Sequence, residues 1–143
     1  MKLQDQLCNL ELSQRIEELG VRQDSVWYWR QEKDYPENVY IIRPCDFPTG
    51  IDKEAFNICS AFTVAELGEM LCSRCYSYKN LTIEDLEDGA MLGKQGGKWR
   101  CLGELDGRPI LDADTEADSR AKMLIYLIEN KLIDVKNLCE IRS

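Results

Sequence analysis

Apolar residues recur at helical spacing in "LELSQRIEELGV", where Leu12, Ile16 and Leu19 fall at i, i+4 and i+7. Gly20 follows, placed to take the left-handed conformation that closes a helix. The next stretch, "DSVWYWRQEKDY", is read as a second short helix capped by Asp24 in preference to an aromatic strand. Residues 38–44, "NVYIIRP", are β-branched and aromatic and stop at Pro44, which predicts a strand. "CDFPTGIDKEAF" carries Pro48 and Gly50 and is read as a loop entering a short helical turn.

Three pairs then match the capping-box spacing: Thr63 with Glu66, Thr82 with Asp85, and Thr115 with Asp118. Each predicts a helix start. The first opens "VAELGEMLC", with Val64, Leu67 and Leu71 on one face. The last opens "ADSRAKMLIYLIENKLI", the strongest periodic segment, with Ala117, Ala121, Leu124, Ile125, Ile128 and Leu132 on one stripe. Between them, "KWRCLGEL" and "RPILDAD" are short β-like runs separated by Asp106 and Gly107, a pair that favours tight turns, so a hairpin is expected. The order of elements predicts an α+β fold: residues 1–143 as one domain, a small antiparallel sheet with a C-terminal hairpin, covered by several helices.

Composition narrows the chemistry. The chain has no histidine, which removes Ser-His-Asp triads, Cys-His dyads and every zinc site that uses imidazole. Its 18 basic and 26 acidic residues give a net charge of −8. Residues 1–48, 49–92 and 93–143 carry −3, −5 and zero, so no segment is a basic arm for phosphate contacts, and direct nucleic-acid binding is not expected. No apolar run reaches the roughly 18 residues of a membrane span, and the first 20 residues lack the apolar stretch of a signal peptide. Seven cysteines, an odd number scattered along the chain, fit free thiols in a reducing cytoplasm.

Candidate motifs weaken on inspection. Cys72 and Cys75 have zinc-knuckle spacing, but no second such pair exists, and the pair closes a helix where redox pairs open one. "GKQGGKW" fails as a phosphate loop, since Trp99 follows Gly-Lys and Leu92 stands where Gly is needed. "DADTEAD" has Ala117 at the obligatory glycine of a calcium loop and Met123 at its twelfth position. Its acids suit the start of a helix without any ligand, as "EDLEDG" suits a solvated helix end.

"VWYWR" is the remaining candidate. On a helix Trp27 and Trp29 point about 200° apart, so one ring, Trp29 in the preferred reading, turns outward beside Arg30 as a contact for a partner or a second copy of the chain. The competing reading, which the usual burial of large aromatics favours over the outward ring, covers both rings, one by the core and one by a neighbouring loop.

Taken together, "LSQRIEELGV", "VWYWR", "AFTVAELGEML" and "ADSRAKMLIYLIENKLI" resemble a group of small uncharacterised proteins of phages and integrated mobile elements in gut bacteria. The resemblance implies a compact fold and brings no catalytic residue, cofactor or partner. The expectation is a non-catalytic cytoplasmic interaction protein without cofactor or metal, a special case being an acidic inhibitor of a host nucleic-acid enzyme. Its partner would be an unknown protein or a second copy, with no membrane. The alternatives are an enzyme with a histidine-free Asp, Glu, Tyr or Cys site, and a fold stabilised by cysteine-bound zinc.

Overall fold

The computed structural model describes residues 2–71, 75–80, 98–103 and 110–136. These form an α+β fold with helices α1 (Leu10–Glu18), α2 (Val64–Leu71) and α3 (Glu116–Glu129). Strands β1 (Tyr28–Glu32), β2 (Val39–Ile42) and β3 (Phe56–Ser60) make one antiparallel sheet in the order β2-β1-β3. Strands β4 (Cys75–Asn80), β5 (Lys98–Gly103) and β6 (Ile110–Ala113) make a second, in the order β4-β5-β6. Among the described residues no helix is long and apolar enough to cross a membrane.

Local chemistry starts each helix. Asn9 caps α1, its Oδ1 accepting the Leu12 N–H at 2.9 Å. Thr63 and Glu66 form a reciprocal capping box at α2, with Thr63 Oγ1 accepting the Glu66 N–H at 3.1 Å and Glu66 Oε1 accepting the Thr63 N–H at 2.9 Å. Thr115 Oγ1 accepts the Asp118 N–H at 3.1 Å to start α3. The Asp118 carboxylate also accepts the Asn9 N–H at 2.7 Å and Asn9 Nδ2–H at 3.3 Å, which joins the starts of α1 and α3.

Both α1 and α3 end in the same left-handed motif. Gly20, at φ 89°, donates to Glu17 O while Val21 donates to Ile16 O. At the end of α3, Lys131 holds the equivalent place at φ 57°, donating to Ile128 O while Leu132 donates to Leu127 O. This stop removes Leu132 from the stripe, and it stands exposed past the helix end.

Helix α3 packs against α1, α2 and the strands of the second sheet. Ala117, Ala121 and Leu124 are fully buried, as predicted, but cover on both sides widens the buried arc to Met123 and Leu127. Ile125 and Ile128 sit at its margin, partly buried. Ile16, Phe62, Leu67 and Met70 complete the centre of the core.

The helix expected after Asp24 is not formed. Residues 28–32 are the central strand of the first sheet, pairing Tyr28 with Ile42 and Ser60, and Arg30 with Tyr40 and Ile58. The polar "RQEK" continuation that suggested a helix is satisfied on the strand: Gln31 Oε1 accepts from Gln14 Nε2 of α1 at 3.2 Å, and Gln31 Nε2 donates to Pro36 O in the β1–β2 turn at 3.0 Å. Aromatic cross-strand packing on two neighbours decides the conformation over the capping signal. Strand β3 follows two short 3-10 turns, Pro44–Asp46 and Gly50–Ala55. Strands β5 and β6 pair antiparallel from Trp99 opposite Ala113 to Leu102 opposite Ile110. The expected turn at Asp106 and Gly107 lies outside the described residues, as do the Thr82–Asp85 box, "EDLEDG", Cys72 and the glycines of "GKQGGKW".

Candidate interaction surface on the first sheet

Alternation along β1 sends its side chains to two different environments. Trp29 and Gln31 face α1. The Trp29 indole N–H donates to Cys8 O at 2.8 Å, so this half-buried ring fastens the segment before α1 to the sheet. Trp27 precedes the strand and is also half-buried, with its carbonyl accepting the Ala61 N–H at 2.9 Å. The structure therefore does not gather Trp27, Trp29 and Arg30 into one patch.

Arg30 points to the opposite face. Its guanidinium lies 5.0 Å from the ring centre of Tyr40, its cross-strand partner, and 4.8 Å from that of Phe56, its diagonal neighbour. Each such contact contributes about 0.5–1 kcal/mol at an exposed site. Arg30 Nε is buried without a hydrogen-bond partner, and among the described residues no carboxylate pairs with this guanidinium. Beside it, Phe47 meets Tyr28 edge-on, ring centres 4.7 Å apart at 86°. Tyr40 and Phe47 remain exposed. Tyr40, Phe47 and Phe56 were not singled out in the sequence, although the alternation in "VYII" and "FNICS" is the signal that places two of them on this face.

The edge of the same sheet borders a groove of about 410 Å³ between α1 and β3, lined by Leu10, Gln14, Glu17 and Glu18 on the helix and by residues 56–59 on the strand. Glu18 pairs with Arg15 at 3.2 Å, and Arg15 reaches Glu129 at 3.0 Å. Glu17 has no ion pair among the described residues. Partial burial of its carboxyl, and the charge of Glu18, hold it above the usual carboxylate range.

The thiols near this junction are unsuited to nucleophilic work. Burial pushes Cys8 up to about 11 despite a 2.9 Å contact with Ser13 Oγ. Burial, reinforced by Glu17 and Cys8, pushes Cys59 up to about 12. Both stay protonated at neutral pH.

A second cleft, about 880 Å³, is lined by Lys2, Asp5, Val64, Trp99, Asp114, Thr115 and Glu116. Two of its acids, Asp114 and Glu116, belong to the "DADTEAD" segment, which serves the start of α3, and the third is Asp5. Glu116 is held by Arg120 at 3.2 Å, and Lys122 Nζ donates to Asp112 O at 2.7 Å. Among the described residues no group of three Cys, Asp or Glu side chains is placed to hold a metal ion. No protein-family model, curated protein or solved structure matches the chain.

Proposed function

We propose that the chain is a non-catalytic interaction protein of the cytoplasm, of phage or mobile-element origin, that docks a protein partner on the outer face of its β2-β1-β3 sheet. The observation that carries this reading is Arg30 clasped between Tyr40 and Phe56 with an unmade buried donor, next to exposed Phe47. Aromatic and arginine side chains supply large contact area at low entropic cost and dominate interface energetics. An unsatisfied buried donor costs about 1–3 kcal/mol, a cost that an incoming acceptor removes. Origin and compartment rest on the resemblance of the sequence and on its free-thiol composition.

The narrower reading, an acidic inhibitor of a nucleic-acid enzyme, rests on the net charge of −8 alone. The test is affinity capture from host lysate with wild-type protein and with Tyr40→Ala and Arg30→Ala side by side. Proteins enriched by the wild type and lost with both variants support the reading. Retention of every captured protein by both folded variants refutes it.

A further inference from the structure

The edge of the first sheet carries an inference beyond the face just described. In the β1–β3 ladder the Ala61 N–H donates to Trp27 O at 2.9 Å and the Lys33 N–H to Ala55 O at 3.0 Å, which puts the ladder bonds on the odd-numbered residues of β3. The even-numbered residues 56, 58 and 60 consequently aim their N–H and C=O groups away from β1. Ser60 agrees with this parity, because its N–H is taken by the Gln23 side chain at 2.6 Å, from outside the ladder. The outward groups of Phe56 and Ile58 have no strand beside them among the described residues, since β3 ends the sheet order. They border the groove against α1.

Natural sheets blunt a free edge with a charge, a proline or a bulge. Strand β3, "FNICS", has no charge and no proline, and it pairs with β1 in unbroken register. The groove alongside is the right kind of space for another strand. Leu10 on the helix and Cys59 on the α1-facing side of the strand supply apolar walls, and Gln14 and Asn57 supply polar rims. Glu17 supplies a carboxylate that no cation in the described chain neutralises. The charge selects the occupant: Glu17, which has no ion pair among the described residues, in a chain of net −8 repels phosphate and acidic segments and attracts a basic one.

We propose that the free edge of β3 takes an extended, basic segment of a partner protein as a fourth strand, with a lysine or arginine of that segment paired to Glu17. Backbone bonds to Phe56 and Ile58 supply attachment, and Glu17 supplies selectivity. A segment of about five residues, about 17 Å long, spans the edge. This site is distinct from the Arg30 face.

The test uses the full chain, isotopically labelled, and a synthetic peptide of alternating lysine and valine, titrated while backbone amide signals are followed by NMR. The expected result is saturable shifts centred on Phe56, Ile58 and Glu17, weakened about tenfold by Glu17→Gln and unchanged by Glu11→Gln, a substitution on α1 outside the groove. A peptide N-methylated on alternate amides should not bind, which reads the strand addition without altering the protein. Ile58→Pro should likewise block binding while leaving the ladder to β1 intact, because the lost N–H faces outward.

No saturable shift, shifts centred elsewhere, equal binding of a peptide with threonine in place of lysine, or binding that survives both Glu17→Gln and N-methylation would each overturn the proposal. So would a dimer of the unliganded chain that Ile58→Pro abolishes, since it would assign the edge to a second copy. Arg30→Ala should bind the peptide normally, so failure at the edge and failure at the face are read separately.

Discussion

Replacing Asp118 by alanine should cost about 1–2 kcal/mol, and the figure follows from where its carboxylate sits. The substitution removes acceptors for two hydrogen bonds from Asn9, at 2.7 and 3.3 Å. Bonds to a charged group are worth about 1.5–3 kcal/mol, but these are exposed and water replaces part of them. The favourable position of a carboxylate at the start of α3 adds about 0.3–1 kcal/mol. Against these stands partial burial, which holds the Asp118 carboxyl above its usual range although bonds from Asn9 and Thr115 pull it down. Asp118→Asn keeps an oxygen for the Asn9 N–H and should cost less than about 1 kcal/mol. A raised carboxyl stabilises the fold most when protonated, an advantage lost as pH rises through the folded value. The deficit of the asparagine variant relative to wild type should therefore be larger near pH 4 than at pH 7. Glu17 is raised as well, but it is common to both proteins and cancels in the difference. Urea denaturation followed by circular dichroism across that range measures both effects. A loss below about 0.5 kcal/mol for Asp118→Ala, or an asparagine deficit that grows with pH, would refute this account of the α1–α3 junction.

Lys131→Gly should stabilise the protein by about 0.5–1 kcal/mol in urea denaturation, because it relieves a left-handed lysine, while Gly20→Ala should destabilise it by a similar amount. Leu124→Ala should cost about 2–5 kcal/mol by the same assay, and a loss under about 1 kcal/mol would make α3 peripheral to the core. With an aromatic disulfide reagent at neutral pH, exposed Cys45 should react promptly, and buried Cys8, Cys59 and Cys101 only on unfolding; prompt reaction of Cys59 in the folded protein would contradict its burial.

Helices that carry their own start and stop signals were legible in the sequence. Leu12, Ile16 and Gly20 marked α1, the Thr63–Glu66 box marked α2, and Thr115 marked α3, because capping and 3.6-residue periodicity are local properties. The strands were less so. A five-residue strand such as β1 owes its conformation to Tyr40, Ile42, Ile58 and Ser60, all distant in sequence, and Asp24 upstream offered a plausible but unused cap. β3 and β4 went unrecognised for the same reason: their segments are short and become strands through partners. The candidate site divided along the same line. Arg30 was visible as a composition signal, but its companions Tyr40 and Phe56 depend on register, and the α1–β3 groove on packing.

The bond between Asn9 and Asp118 also sets an order of events during synthesis. Its ends are 109 residues apart, so at about 5–20 residues per second the acceptor is made roughly 5–20 s after the donor. The segment before α1 waits in the meantime for Trp29 and for the Phe62 carbonyl that takes the Cys8 N–H. A nascent chain can pair β1 with β2 and β3 early, yet the α1–α3 junction closes only when the start of α3 has left the ribosome. Chains stalled before residue 118 should thus hold the first sheet while α1 remains accessible to protease.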